Sequence, residues 1–568
     1  MLTLDTLPLP VLLEIIKYFP VAYIAGEDTI VHWPSGPAEL CKANAPETIA
    51  LAGCNRALRR LLLPVMFHDC HFGKANPTEK YAKRLDELSR GSGELLACIR
   101  NLTVMAFTSN GIKAANACIG QMTNLETIGW YASHPVPPLF VQTLCKIPSF
   151  KSLVLREFGV ESLPHILPLA DQLTKISINS ERQAPAPKSA RELAPVLVGA
   201  SRRSRLPWDE RNVATVEEQR EALLPDLPPF LARACKHVEE LAISGRGLCD
   251  KGEPYQWLEK LFDAMVDDNR QYPNFPRLER LWLRHCNSKT LALKHLLSTT
   301  GVHLRTLEVT AQDTAELPPP PSALRSLKEL CYFMLDHVRC VDFVNAVTQH
   351  SPLDILYLNG IRHIDILPVF GSSFRCGETL RQLRIQTGAN GSFFTLPRVR
   401  TIVASCPNLV ALEIKGNWGL EAVDLLQEME PLKQLRRFAF DHPWERPRSS
   451  LYVEADGRTI RSERNGDFRI ISVMGTSIAD EMGKRIQWDI DAARPRYRER
   501  FGAFAKRMPV LERIRWSCTE AVDWTWTFER RVGQAGQPTI VCHDDADIPY
   551  GKTIVGPKME GGGIYLLR

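Results

Sequence analysis

The sequence lacks several features that would assign a class of protein at once. It contains no run of 18 apolar residues, so no membrane-spanning helix is expected and no membrane partner is predicted. Its 15 cysteines include no C-x-x-C pair, and no signal peptide is recognisable. These absences predict reduced thiols and a cytoplasmic or nuclear location, or both. Charge is nearly balanced as well, since 70 basic and 65 acidic residues leave +5, which does not favour a nucleic acid as the partner.

Sequence motifs for catalysis are also missing. No nucleophile elbow, zinc-protease motif or nucleotide fingerprint occurs, so we predict that the chain is not an enzyme, has no catalytic residues and needs no cofactor. The cluster "HDCHF" at residues 68–72 lacks a fourth metal ligand at suitable spacing, and we interpret it as a helix end that meets the first repeat. The cluster "CHDDAD" at residues 542–547 lacks calcium-loop spacing, and we interpret it as a solvated acidic turn. No metal site is predicted.

The sequence does contain one short pattern that recurs thirteen times, which we call the phrase. It consists of an apolar residue, two residues of any kind, an apolar residue, one residue of any kind and an apolar residue. "LERLWL" at Leu278 and "LDILYL" at Leu353 are examples. Nine of the twelve intervals between successive starts lie between 23 and 29 residues, which is the period of leucine-rich repeats. The phrases start at Ile99, Leu125, Phe150, Leu173, Val238, Leu278, Leu304, Leu327, Leu353, Leu380, Leu409, Leu435 and Leu511.

Each phrase predicts a short strand, because its last two apolar residues alternate and therefore face the same side. Helical spacing follows some phrases, as at Leu258, Leu261 and Met265. A single repeat cannot bury its apolar face alone, so neighbours are expected to stack and their strands to form a parallel sheet. The predicted fold is an α/β leucine-rich-repeat solenoid of about 13 irregular strand–helix units with the sheet on its concave face, preceded by a small all-α module.

Three long intervals predict insertions. Residues 180–229 are rich in proline and charge, so we expect a partly ordered loop, while residues 245–275 are expected to hold one extra helix. Hairpin turn signals within residues 441–508 predict a small β-meander followed by a helix. The predicted domains are a helical module in residues 1–72, repeats in 73–440, the inserted meander and helix in 441–508, and the last repeat with a C-terminal cap in 509–568.

The first 72 residues contain a leucine-proline pair, apolar residues at helical spacing, and then a cysteine and arginines followed by proline and an aromatic residue. These residues are Leu7-Pro8, Val11-Leu12, Ile15, Leu51, Cys54-Asn55-Arg56, Leu58-Arg59, Pro64 and Phe67. In this pattern the segment resembles an F-box, and an F-box followed by leucine-rich repeats is similar to fungal F-box proteins with degenerate repeats. One departure is an insertion at residues 20–46, where the family has a short loop. This insertion either weakens or reshapes docking to the adaptor, or is a harmless surface excursion.

The resemblance implies that the chain binds a Skp-family adaptor and, through it, a cullin scaffold. It would then be the substrate-recognition adaptor of an SCF-type ubiquitin ligase, with the repeats holding an unknown protein substrate. The alternative is a repeat scaffold whose N-terminal helices only cap the stack. The adaptor-binding residues that the resemblance implies are Leu7, Pro8, Val11, Leu12, Ile15, Leu51, Leu58 and Pro64.

Substrate-binding candidates flank the apolar strand positions and are expected to point out of the concave face. Arginine and aromatic residues are enriched there, as they are at binding hot spots, and the arginines suggest an acidic or phosphorylated partner. The alternative is a solvated polar face. Trp282 favours binding, because a tryptophan on an open sheet face lowers solubility unless a partner or another part of the chain covers it. The insertion at 441–508 could provide that cover. The candidates are Arg280, Trp282, Arg284, Tyr357, Arg384, Arg437, Arg513 and Arg515.

Overall fold

A computed structural model shows how the repeated phrases fold. The chain divides into two compact units, Met1–Phe333 and Met334–Arg568, which are described separately. The structure describes residues 53–547 except residue 55 and the segments 73–92, 105–115, 131–134, 157–161, 180–224, 245–256, 267–272, 285–292, 294–295, 298–302, 311–321, 334–339, 362–366, 372–373, 388–393, 416–421, 442–448, 454–458, 465–466, 474–493, 520–521 and 533–537.

The first unit contains nine strands that pair in parallel and in chain order. Short helices lie between several of them, which makes this unit an α/β structure. Its elements are α1 (Arg56–Met66), β1 (Asp69–Phe72), α2 (Gly93–Ala97), β2 (Asn101–Val104), β3 (Thr127–Trp130), α3 (Pro138–Leu144), β4 (Ser152–Arg156), α4 (Ser162–Ile166), β5 (Lys175–Asn179), α5 (Leu227–Ala234), β6 (Glu240–Ser244), α6 (Trp257–Asp263), β7 (Arg280–Arg284), β8 (Thr306–Thr310) and β9 (Glu329–Phe333).

The second unit contains five parallel strands, an antiparallel hairpin and a separate three-stranded antiparallel sheet. Its elements are α7 (Cys340–His350), β10 (Ile355–Ile361), β11 (Gln382–Thr387), α8 (Leu396–Ser405), β12 (Ala411–Lys415), α9 (Ala422–Glu428), β13 (Arg437–Asp441), β14 (Ser449–Val453), β15 (Thr459–Arg464), β16 (Asp467–Val473), α10 (residues 494–507), β17 (Arg513–Thr519), β18 (Val522–Val532) and β19 (Pro538–Asp547).

All thirteen phrases lie at strands, namely β2–β13 and β17. The three apolar residues of a phrase form the core, as in β7, where Leu278, Leu281 and Leu283 are fully buried. Burial of one leucine side chain contributes about 1.5–3 kcal/mol, so the sum over the phrases dominates the stability of each unit. The predicted parallel pairing of stacked strand–helix repeats is confirmed within each unit, and both are consistent with a repeat solenoid.

One backbone hydrogen-bond pattern recurs where each strand begins. The N–H groups of Arg305 and Thr306 both donate to the carbonyl oxygen of Glu279, at 2.7 and 3.1 Å. In the second unit, the N–H groups of Arg381 and Gln382 donate to the carbonyl oxygen of Asp354, both at 2.9 Å. Because each strand entry is fixed to the strand before it, the register of one repeat determines the register of the next.

The second unit ends in an aromatic cluster that joins α10 to the last strands. Tyr497 and Phe501 project from α10 and are buried against Trp516 of β17, with ring centres 4.5 and 6.1 Å away. Trp526 of β18 lies 5.3 Å from Phe501. The hairpin β18–β19 pairs along β17, so the sheet edge at β17 does not stay open to edge-to-edge aggregation.

Two interpretations of short motifs are wrong. "HDCHF" is not only a helix end, because α1 ends at Met66 and Asp69–Phe72 forms β1, which pairs in parallel with β2. The predicted boundary at residue 72 therefore falls after a strand that already belongs to the sheet. "CHDDAD" is not a turn, because these residues lie in β19. The insertion at 20–46 and most of the insertion at 180–229 lie outside the described residues.

Candidate interaction surface

The strands present two faces, and the face opposite the apolar core is the candidate interaction surface. We call it the outer face and define it by the first, third and fifth register positions of each strand, as at Arg280, Trp282 and Arg284 in β7. These positions alternate with the buried apolar residues, so they face the other side of the sheet. The eight substrate-binding candidates all occupy outer-face positions.

Trp282 occupies the third register position of β7 and is buried, with 2% of its surface exposed. Its register neighbours are Ala242 on β6 and Glu308 on β8, and Glu308 is fully buried. The indole Nε1 donates no hydrogen bond to any part of the chain that the structure describes. Trp282 is therefore part of a packed surface, and in this state it offers little area to a partner.

Arg280, on the same strand, is exposed and belongs to a small charge cluster. Its guanidinium lies 3.4 Å from a carboxylate oxygen of Glu240, which also contacts the amino group of Lys175 at 2.8 Å. Glu240 is 12% exposed, whereas Lys175 and Arg280 are 41% and 45% exposed, so solvent partly screens both contacts. The carboxylate partly neutralises both cations, so this part of the surface has no strong preference for either sign of charge.

The outer face of the second unit carries a network centred on Arg384 of β11. Its guanidinium carbon lies 4.4 Å from the ring centre of Tyr357 on β10, and its Nη2 donates to Gln386 Oε1 at 3.3 Å. Nε lies 3.2 Å from Glu413 Oε1 on β12, although the angle does not make this ion pair a good hydrogen bond. Lys415 Nζ contacts the same carboxylate oxygen at 3.2 Å.

Glu413 is 1% exposed, and a buried carboxylate must be compensated by cations or donors. Arg384 and Lys415 supply that compensation, while the second oxygen, Oε2, has no partner among the described residues. Sequence reasoning did not name Glu413 or Lys415. A signal was present, since both flank the apolar strand residues in "ALEIK", at the positions that mark the outer face.

Three further arginine candidates lie close together in the same unit. Arg437 of β13 is directly opposite Arg513 of β17, and Arg515 follows two residues later. All three side chains are half-buried. The structure thus brings together four of the predicted arginines in the second unit, whereas Arg280 and Arg284 belong to the first.

The adaptor-binding candidates are mostly beyond the described residues. Leu7, Pro8, Val11, Leu12, Ile15 and Leu51 all lie there. Leu58 and Pro64 are both in α1, and Leu58 is 3% exposed whereas Pro64 is exposed. The apolar side of α1, with Leu58 and Leu62, is thus buried within the chain.

The described part of the chain offers few other kinds of site. It holds no group of three or more His, Cys, Asp or Glu residues that could bind a metal ion. None of its helices is long and apolar enough to cross a membrane. A shallow cavity of about 420 Å³ lies at the entrances of β6–β9, and charged residues of both signs line it: Glu239, Arg277, Glu279, His303 and Arg305, with Pro276 and Ser326.

The chain was compared with known proteins. No protein-family model matches it, and no curated protein matches it. Among solved structures it is similar to the crystal structure of the Rad7 and Elc1 complex in yeast, with 12% sequence identity and a TM-score of 0.36 over 64% of this chain and 83% of that chain. A similarity of this size does not define a shared function. The fold alone defines the class: an α/β protein with mostly parallel strands, consistent with a repeat solenoid.

Proposed function

We propose that this chain is the substrate-recognition adaptor of a cullin-based ubiquitin ligase. The observation that carries the proposal is the order of the parts: F-box-like residues occupy the first 72 positions, and a stack of thirteen phrase-bearing strands follows. The N-terminal residues would bind a Skp-family adaptor, and the outer face would bind the target protein. An adaptor of this kind works in the cytoplasm or the nucleus.

The proposed mechanism is proximity. The chain raises the effective concentration of substrate lysines near a conjugating enzyme that the cullin holds, and it makes or breaks no covalent bond itself. Stacked repeats suit this task, because each repeat packs only against its neighbours and adds further surface for a partner. The chain then needs neither a metal ion nor a cofactor.

The adaptor contact is tested by pull-down of the full chain with a purified Skp-family adaptor. Wild type is expected to bind, and Leu7→Ala with Pro8→Ala is expected to reduce binding more than tenfold, since apolar anchors dominate such contacts. Leu139→Ala is the matched control, because Leu139 is a 65% exposed leucine in α3. Absence of binding by wild type, or equal binding by the double variant, contradicts the ligase proposal.

A second candidate function is a repeat scaffold without ligase association. One observation favours it: Leu58 and Leu62 of α1 are buried within the chain, as expected for a helix that caps the first strand. The same pull-down separates the candidates. If the helices only cap the stack, Leu58→Ala lowers stability, and wild type does not bind the adaptor.

A further inference from the structure

The outer faces of the two units differ in charge. In the first unit, acidic and basic outer-face residues are equal in number: Asp69, Glu240, Glu308 and Glu329 against Arg156, Lys175, Arg280 and Arg284. On the five parallel strands of the second unit, bases exceed acids: Arg384, Lys415, Arg437, Arg513 and Arg515 against Glu413 and Asp441. The excess of positive charge is therefore local to β10–β13 and β17.

Arg384 is held in place before any partner arrives. Tyr357 stacks on it at 4.4 Å, Gln386 accepts from Nη2, and Glu413 lies beside Nε. Its side chain is 11% exposed, so little further ordering is needed on binding. A preorganised arginine loses little conformational entropy when it contacts a partner, which makes it an efficient anchor.

Arg437, Arg513 and Arg515 bring like charges onto neighbouring strands. Adjacent strands are about 4.8 Å apart, and like charges directly opposite each other destabilise a sheet. A carboxylate placed above these residues lowers that cost, whatever other contacts their side chains make. Along the register row of Arg384, the buried Glu413 and Ala439 lie between Arg384 and Arg515, whereas the buried Ala411 lies directly beside Arg437.

The length of the basic surface limits the size of the ligand. From β11 to β17 there are three strand spacings, about 14 Å, which an extended peptide of about four residues spans. On β18, the register rows of Arg513 and Arg515 continue with Thr527 and Thr525, which carry no charge. A long polyanion such as a nucleic acid would extend beyond the arginines onto these uncharged residues, whereas a short acidic peptide would not.

We propose that the outer face of β11, β12, β13 and β17 binds a short acidic segment of a partner protein, whose carboxylates contact Arg384, Arg437, Arg513 and Arg515. The inference rests on the proposed function only in that it takes the repeats as the part of the chain that binds the substrate. Binding of a Skp-family adaptor is not needed for it, so the two can fail independently.

The test measures fluorescence anisotropy of a labelled tetrapeptide of alternating Glu and Asp with the full chain at about 50 mM salt. A Gln/Asn tetrapeptide is expected to bind at least tenfold more weakly, and added salt is expected to weaken the acidic complex. Arg437→Gln is expected to reduce affinity about tenfold, since one charge-assisted contact is lost. Arg400→Gln is the matched control, because Arg400 is an exposed arginine of the same unit that lies on α8 and not on the outer face, so this change is expected to leave affinity unchanged.

Circular dichroism and thermal melting establish that each variant is folded. The inference is overturned if the acidic and neutral peptides bind equally, or if Arg400→Gln and Arg437→Gln weaken binding equally. Tighter binding of a single-stranded oligonucleotide of the same charge would also overturn it, because the ligand class would then be nucleic acid. A selective loss in Arg437→Gln with the acidic peptide supports it.

Discussion

The guanidinium carbon of Arg384 lies 4.4 Å from the centre of the Tyr357 ring, so these two residues of adjacent strands are stacked. Arg384 is also beside Glu413, which is almost completely buried. An arginine that contacts an aromatic ring on one side and a carboxylate on the other has a fixed position. The outer face of the second unit is thus a rigid, charged surface and not a loose set of solvated side chains.

Replacement of Glu413 by glutamine should destabilise the second unit. Two cations, Arg384 and Lys415, would lose their shared anion, and removal of one member of a buried ion pair is costly. Lys415 remains 21% exposed, so solvent can compensate part of its charge. We therefore expect the free energy of unfolding to fall by about 2–3 kcal/mol, measured as a lower urea midpoint. Glu428→Gln is the control: its partner Arg400 is 62% exposed, so the expected loss is below about 1 kcal/mol. Equal losses in the two variants would show that the Glu413 network stabilises the second unit no more than an exposed ion pair does.

The same Glu413→Gln change should strengthen binding of the acidic peptide. It removes one of the two acids on this surface and leaves all five bases in place. We expect a severalfold gain in affinity at low salt, which disappears at high salt as the charges are screened. Loss of stability together with gain of affinity separates the charge effect from a folding defect. Weaker binding in a folded variant would contradict the assignment of the surface to an acidic ligand.

Gly377 should not tolerate a side chain. A Cβ atom at this position would overlap the backbone carbonyl oxygen of Ser405, at the end of α8, so the backbone would have to move. We expect Gly377→Ala to cost more than about 2 kcal/mol in the free energy of unfolding. Gly502 is the matched control, since it lies in α10 with open space around it, and Gly502→Ala should stabilise by about 0.5–1 kcal/mol. Similar effects at both sites would mean that the repeats do not pack as closely at Gly377 as described.

Two buried thiols should resist alkylation in the folded protein. Burial raises the pKa of the Cys376 thiol to about 12, and burial together with the neighbouring Cys376 raises the pKa of Cys406. Only the thiolate reacts, so at pH 8 about one Cys376 in ten thousand is reactive. Mass spectrometry after iodoacetamide treatment should find Cys54 and Cys145, which are exposed, modified first. Early modification of Cys376 would contradict its burial.

Alkaline pH should destabilise the second unit through Cys376. The folded pKa lies above the unfolded value of about 8.5, so the folded state keeps its proton where the unfolded state loses it. The stabilisation is therefore fully present below about pH 8.5 and is lost as the pH rises towards 12. Between pH 8 and 10, the urea midpoint of wild type should fall more steeply than that of Cys376→Ala. Parallel profiles would exclude this contribution.

The apolar phrase predicted the strands because inward-facing residues carry a periodic signal. Leu278, Leu281 and Leu283 could be read directly from their spacing. The strand β1 was not predicted, because its alternating residues Cys70 and Phe72 stand among His68 and His71, which have the chemistry of metal ligands. The spacing of Cys70 and Phe72 matches the last two positions of a phrase, and the structure pairs them with Leu102 and Val104.

The sequence predicts which residues lie on the outer face, but it does not predict their burial or their contacts. Alternation places Arg384, Tyr357 and Glu413 on one side, yet spacing alone cannot show that Glu413 is buried between two cations. That depends on the register between β11 and β12, which pairs Arg384 with Glu413. Trp282 is a similar case, because its burial depends on neighbours such as Glu308 that are distant in sequence.

The chain is proposed to carry two binding surfaces, and affinity purification with quantitative mass spectrometry tests this most directly. Wild type, Leu7→Ala with Pro8→Ala, and Arg437→Gln with Arg515→Gln are purified in parallel. We predict that the first double variant loses the Skp-family adaptor and the cullin but keeps the other partners. The second double variant should keep the adaptor and cullin and lose partners with acidic segments. Recovery of the same proteins with all three chains, or absence of the adaptor from wild type, would contradict the account.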